Sequence, residues 1–127
     1  MGKHMIWHGY RKIDWESTVI MSVDGELWAN VPLYLEEVNH SPTGLEGGFI
    51  GSGAAQLSYA ILRTYFELAC GYTERFAKMK AERLYYSFKE DFVSKWDANE
   101  WALDSEDISI WLTKYNELRI LRGESIP

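Results

Sequence analysis

Residues 40–53 read HSPTGLEGGFIGSG and separate two kinds of sequence. Short β-branched and apolar runs precede this stretch, and long segments of helical periodicity follow it. Five of the ten glycines in the chain fall within it, together with a His, two Ser, a Thr and a Glu. That composition is typical of a shaped loop, either one that a sheet–helix junction requires or one that holds a ligand. The order of sheet, loop and helices predicts an α+β fold.

The N-terminal part is predicted to form a small, mostly antiparallel sheet of three to four strands. Its strand-like runs are residues 5–10, 17–23, 26–31 and 33–38. Asp24-Gly25 lies between the second and third runs, and this pair favours a tight hairpin because both central turn positions require a positive φ. Pro32 cannot donate a hydrogen bond to a neighbouring strand, so it marks a strand end.

Three helices are predicted to follow the sheet. They cover residues 54–70, 74–96 and 106–122, and their caps and ends are Gly71, Thr73, Ser105 and Gly123. The first is apolar on nearly every side, which predicts a central helix. The third has a predicted buried stripe of Ile108, Trp111, Leu112, Tyr115 and Leu118.

Length and charge limit the classes of protein that fit. A chain of 127 residues is long enough for one domain, and we interpret residues 1–4 as a cloning leader and residues 5–127 as a single α+β domain. The net charge of −6 disfavours nucleic acid as a partner, because affinity for phosphate comes from Lys and Arg. The single cysteine, Cys70, fits a reducing cytoplasm. Arg63 and Glu67 within the most apolar helix argue against a membrane span.

Gly51-Ser52-Gly53 is the first candidate site, because it directly precedes a predicted helix. Backbone N–H groups at a helix start attract anions. The chain has neither a P-loop lysine nor the glycine spacing of a dinucleotide fingerprint. Gly53 and Gln56 have the spacing of a weak capping box, and the glycines could equally serve only to turn the chain tightly into the helix. Both interpretations stay open.

His40, Ser41 and Glu46 are the second candidate site. A histidine near a carboxylate and a hydroxyl can perform acid–base or nucleophilic chemistry, so a hydrolase or nucleotide-processing enzyme is an alternative function. Residues 41–44 fit a β-turn equally well. We assign no catalytic residue, no metal ligand and no cofactor.

The six tryptophans offer a third candidate, a protein-binding surface. Trp96, Trp101 and Trp111 are predicted to fill the core between the last two helices, and Trp7, Trp15 and Trp28 are expected near the sheet. An exposed Trp beside Tyr34 on a sheet face would suit a protein partner or a second copy of the chain. A structural homodimer is therefore a further alternative.

Residues 40–57, HSPTGLEGGFIGSGAAQL, resemble the signature of DUF6166, a domain family of unknown function. The similarity extends to residues 88–89, 101–103 and 108–112. The resemblance implies a small protein of bacteria, archaea or their mobile elements. It also places the site in this loop without supplying a reaction.

We therefore expect a small cytoplasmic binding module that recognises a protein partner or a small anionic ligand through residues 40–56. The contacts are predicted to come from His40, Ser41, Thr43, Gly44, Glu46, Gly51, Ser52, Gly53 and Gln56.

Overall fold

A computed structural model describes residues 3–11, 17–26, 28–32, 34–38, 52–97 and 99–127. Its elements are β1 (Met5–Arg11), β2 (Ser17–Val23), β3 (Ala29–Asn30), α1 (Ser52–Thr64), α2 (Glu74–Asp91), β4 (Glu100–Asp104) and α3 (Ser105–Leu121). The strands form one antiparallel sheet in the order β3-β2-β1-β4. The predicted α+β fold with an antiparallel sheet and three helices is confirmed. Within the described ranges, every helix is too short or too polar to cross a bilayer.

The hairpin after β2 forms where Asp24-Gly25 predicts it. Asp24 has a φ of 52° and Gly25 a φ of 74°, and the Glu26 N–H donates to the Val23 carbonyl at 3.0 Å. Positive φ at both central positions is the geometry that matches the twist of two paired strands. The strand that follows is shorter than predicted, because only Ala29–Asn30 pairs with β2.

Two strand predictions are corrected by the structure. Residues 34–38 form a turn and not a strand, because the Glu37 and Val38 N–H groups both donate to the Tyr34 carbonyl at 3.0 Å. The fourth strand is instead β4, in a region without a predicted strand. It pairs with β1 through Gly9 and Trp101, which are more than 90 positions apart in the chain.

One face of the sheet packs on the helices. Met5 and Trp7 in β1 are fully buried, whereas the alternate residues Ile6 and His8 are only partly buried. The Trp7 Nε1–H donates to the Thr64 hydroxyl at 3.0 Å, which places the end of α1 against this face. A π-helical turn, Tyr65–Ala69, extends α1.

An aromatic cluster joins α2, β4 and α3. We define it as Phe88, Phe92, Trp96, Trp101 and Trp111. Trp96 and Trp101 stack with their ring centres 4.3 Å apart, and Phe88 meets Trp111 edge to face at 5.4 Å. The predicted tryptophan core is confirmed for Trp101 and Trp111, although Trp101 reaches it from a strand, whereas Trp96 is only partly buried against it.

The helix ends follow most of the predicted signals. The Thr73 hydroxyl accepts the Phe76 N–H at 3.2 Å and caps α2 as predicted. Gly71 and Gly123 have φ values of 74° and 73°, the left-handed geometry that ends a helix. The second helix ends at Asp91 and not near residue 96, and the short 3-10 turn Val93–Lys95 follows it.

Two predictions for α3 are wrong. Asp104, not Ser105, is the N-cap, and it forms a capping box with Asp107 because β4 runs directly into the helix without a loop. Leu118 is 51% exposed, since the buried stripe fades after Trp111 toward the C-terminal end of the helix.

Candidate functional site

Most of the predicted site lies outside the described residues, namely His40, Ser41, Thr43, Gly44, Glu46 and Gly51. Ser52 and Gly53 are the first two residues of α1, and Gln56 lies one turn further along. The convergence of His40 and Glu46 that an enzyme would need is also outside the described residues. The structure therefore describes the two ends of the predicted site, Val38 before it and the first turn of α1 after it.

Gln56 connects these two ends. Its side chain is fully buried, and its Nε2 donates to the Val38 carbonyl at 2.7 Å. Val38 is the last described residue before the predicted loop, so the bond joins the chain entering the loop to the helix leaving it. A buried amide satisfies its hydrogen-bonding capacity in this way, and losing such a bond leaves a buried carbonyl unpaired.

A buried ion pair holds the 34–38 turn at Glu37, the residue before Val38. Arg63 on α1 donates from Nε to Glu37 Oε1 at 2.9 Å and from Nη2 to Glu37 Oε2 at 3.5 Å. The side chains are only 2% and 9% exposed, respectively. A guanidinium that faces both oxygens of one carboxylate fixes its direction as well as its distance. The ion pair therefore sets the position of the 34–38 turn on α1.

Further groups complete the bonding of Arg63 and Glu37. The Tyr59 hydroxyl donates to Glu37 Oε1 at 2.7 Å, and Arg63 Nη1 donates to Glu67 one helical turn along. Burial lowers the pKa of Arg63, but its hydrogen bonds to Glu67 and Glu37 outweigh that effect and raise the pKa above its usual value. Burial, and then the bond to Glu37, raises the pKa of Tyr59, so its hydroxyl stays protonated and donates.

Tyr34 begins the turn in an uncommon conformation. Its φ is 56°, in the left-handed region that side chains other than glycine rarely adopt. Its ring lies 5.0 Å from the Arg63 guanidinium carbon and meets the Tyr59 ring edge to face at 6.3 Å. Burial raises the pKa of Tyr34 to about 12. These contacts hold a backbone geometry that the turn alone does not favour.

We call Glu37, Val38, Gln56, Tyr59 and Arg63 the anchor cluster. Four of its five members were not predicted as site residues. The available signal was Arg63 in an otherwise apolar helix, because a charge at such a position requires a buried partner. Its charged groups, Arg63 and Glu37, bond to each other, so the cluster holds the 34–38 turn against α1.

The other candidate sites have different outcomes. Trp28 is 47% exposed and meets His8 edge to face at 6.4 Å, but Tyr34 does not share a sheet face with it because it lies against α1. Cys70 is half-buried, and burial raises the pKa of its thiol. Among the described residues, no group of three His, Cys, Asp or Glu side chains could hold a metal ion.

Fold and anchor cluster together define a small α+β protein in which the turn after the first three strands is bonded to the first helix. The chain belongs to the DUF6166 family of unknown function, whose model matches residues 7–114. The predicted resemblance to this family is thereby confirmed over most of the chain. No curated protein and no solved structure matches the chain.

Proposed function

We propose that this protein is a binding module that recognises a protein partner or a small anionic ligand through residues 40–56. The observation that carries the proposal is the bond from the buried Gln56 amide to the Val38 carbonyl. It fixes the two ends of the glycine-rich segment relative to each other. Holding the ends of a recognition segment lowers the conformational entropy lost on binding.

The turn before the segment supports the same function. Tyr34 keeps a positive φ, and such backbone geometry persists only where the surroundings enforce it. The surroundings here are Arg63 and Tyr59, which contact the Tyr34 ring. A costly turn, a buried ion pair and a buried amide all act on the chain immediately before the segment. A loop that merely connects two elements does not require these three interactions before it.

Polar residues within the segment would supply the contacts. His40, Ser41, Thr43 and Glu46 offer hydrogen-bonding side chains, and the start of α1 at Ser52 offers backbone N–H groups. An anionic group of a ligand, or of a protein side chain, suits the imidazole, hydroxyl and backbone N–H donors, whereas the Glu46 carboxylate would accept a hydrogen bond from the partner. The chemistry needs no catalytic residue, metal or cofactor.

The test compares wild-type protein with a loop variant, His40→Ala/Glu46→Ala. The matched control is His8→Ala/Glu100→Ala, which removes the same residue types from a pair on the outer sheet face with Nε2 and Oε2 3.1 Å apart. Thermal shift is measured against nucleotides, inorganic phosphate and carboxylate metabolites. A ligand at one hundred times its dissociation constant adds about 2.7 kcal/mol to the free energy of unfolding.

The protein-partner arm uses the same three proteins, immobilised, to capture partners from a cell lysate. We expect the stabilising ligand or the captured partner to be lost from the loop variant and kept by the control. A ligand or partner that binds the loop variant as tightly as wild type would show that recognition lies elsewhere on the molecule.

A further inference from the structure

The first half of α2 carries a second surface with the features of a binding site. A cavity of about 490 Å³ opens there, and we call it the α2 groove; it is lined by Thr73, Arg75, Phe76, Lys78, Met79 and Glu82. Phe76 is 40% exposed and is not one of the buried residues of α2, which begin at Ala77. None of the described lining residues belongs to residues 40–56.

The apolar part of the groove is held in place by a series of rings. Phe76 meets Tyr72 edge to face at 4.8 Å, and Tyr72 stacks on Phe66 at 6.0 Å with the ring planes 7° apart. Phe66 is only 2% exposed, so the series begins in the core. A ring that is already ordered loses little entropy when a partner covers it. Met79 beside it has a flexible side chain that adapts to varied apolar surfaces.

The charge of this surface is opposite to that of the whole chain. Four of the 13 Lys and Arg residues, but only two of the 19 Asp and Glu residues, lie between Glu74 and Arg83. Glu74 faces Arg63 at 3.7 Å, and Lys80 Nζ donates to the Pro127 carbonyl at 2.7 Å. These two charged groups are therefore already engaged.

Arg75 and Lys78 are the cations available in the groove. Within the described parts of the chain, neither makes an ion pair with a carboxylate. Glu82 is the one acidic residue among the lining residues described, and it lies one turn beyond Lys78. Two cations beside an exposed aromatic ring suit a partner that carries both acidic and apolar side chains. Arginine, methionine and aromatic residues are also the types enriched at protein interfaces.

We propose that the α2 groove binds an acidic peptide segment of another protein. One aromatic or branched apolar side chain of the segment packs on Phe76 and Met79. Flanking Asp or Glu side chains pair with Arg75 and Lys78, which sets the direction of the segment. The two cations would also repel from the groove a basic partner, which the net charge of −6 of the chain would otherwise attract.

The test is a selection of random twelve-residue peptides displayed on phage against the full-length wild-type protein. We expect the enriched sequences to combine one aromatic or branched apolar residue with at least two Asp or Glu residues. The most enriched peptide is then synthesised with a fluorescent label, and its dissociation constant is measured by anisotropy at two salt concentrations. We expect weaker binding at high salt, since exposed charge pairs are screened.

Two groove variants and two controls decide the outcome. Arg75→Glu/Lys78→Glu and Phe76→Ser should each raise the dissociation constant at least tenfold. The matched control Lys114→Glu/Arg122→Glu makes the same charge change on α3 and at its C-cap. It should leave the dissociation constant unchanged, as should the loop variant His40→Ala/Glu46→Ala. Circular dichroism confirms that each variant is folded.

Several results would overturn the proposal. Selected peptides without acidic residues, or an unchanged dissociation constant in both groove variants, would exclude the α2 groove as their site. A selection that yields no peptide dependent on Arg75 and Lys78 would do the same. Binding of a single-stranded oligonucleotide at the same cations, with no acidic peptide recovered, would replace the partner by nucleic acid. If only the loop variant lost the peptide, residues 40–56 would be its site.

Discussion

The anchor cluster and the aromatic cluster stabilise two regions of the molecule by different means: the first bonds the 34–38 turn to α1, and the second joins α2, β4 and α3. In the anchor cluster, directional bonds join residues far apart in sequence, such as Glu37 with Arg63 and Val38 with Gln56. In the aromatic cluster, the rings pack with their centres 4.3 to 6.5 Å apart. Such packing depends less on direction than a hydrogen bond does. The anchor cluster therefore fixes one particular backbone segment, the 34–38 turn, and that segment precedes the proposed recognition loop.

The largest expected effect comes from removing one partner of the buried ion pair. Arg63→Met leaves the Glu37 carboxylate buried without its cation, and we expect a loss of about 3–5 kcal/mol in the free energy of unfolding. Urea denaturation at neutral pH measures this loss. A cost that is similar to an exposed pair, below about 1 kcal/mol, would mean that the cluster does not exclude water as its burial indicates.

A double variant sharpens this result. In Arg63→Met/Glu37→Gln the uncompensated charge is gone, so part of the lost stability should return, because paired removal of buried charges is often close to neutral. The Tyr59 hydroxyl can still donate a hydrogen bond to the side-chain amide oxygen that Glu37→Gln introduces. A double variant no more stable than Arg63→Met would show that packing, and not charge, governs the region.

The second prediction tests the aromatic cluster by adding a methyl group at Gly9, where the structure leaves no room for one. Gly9 faces Trp101 across the β1–β4 pair, and a Cβ at Gly9 would collide with the indole ring. Because Trp101 is stacked on Trp96, it cannot move aside without breaking the stack. We expect Gly9→Ala to cost about 1–3 kcal/mol, the range for overpacking a core. Urea denaturation gives the loss, and near-ultraviolet circular dichroism reports the disturbed stack.

A double-mutant cycle provides the control for Gly9. Trp101→Leu removes the ring that the new methyl group would strike. The effects of Gly9→Ala and Trp101→Leu should therefore be non-additive, with the alanine costing little in the leucine background. Additive costs would assign the loss to the strand backbone and not to the collision.

The parts of the fold that could be predicted depend on neighbours in sequence. Asp24-Gly25 determines its turn from two adjacent residues, and Thr73 caps a helix that starts at the next residue. β4 was missed because it is only five residues long and its partner β1 lies at the other end of the chain. The 34–38 turn was predicted as a strand because its shape depends on Arg63, a residue of α1.

In the candidate site, too, only features that depend on neighbours in sequence could be predicted. Gln56 was predicted as a site residue from its place beside the glycine-rich segment, whereas its bond to Val38 depends on how the turn packs on α1. Tyr59 and Arg63 lie four residues apart on one face of α1, but only the folded chain brings Glu37 to them. Arg63 in an apolar helix predicts a carboxylate partner, and the spacing indicates Glu67 one turn along but not Glu37.

The smallest expected effect concerns Asp104, which caps α3 at its junction with β4. The Asp104 carboxylate accepts the Glu106 N–H at 2.8 Å and contacts His4 Nε2 at 2.7 Å. Asp104→Ala removes the helix cap and should cost about 1 kcal/mol at pH 7, whereas Asp104→Asn should keep most of the capping energy. Urea denaturation of the three proteins measures the difference.

The pH dependence of this cap tests its charge. The backbone N–H of Glu106 lowers the pKa of Asp104 below its usual value of 3.8; burial opposes this effect and His4 adds to it. A carboxyl whose pKa is lower in the folded state stabilises the protein above its unfolded pKa, and this stability is lost as the pH falls through the folded value. The advantage of wild type over Asp104→Ala should therefore shrink as the pH falls below about 4. A difference that stays constant down to pH 2 would mean that the cap acts through its shape alone, as the neutral asparagine does.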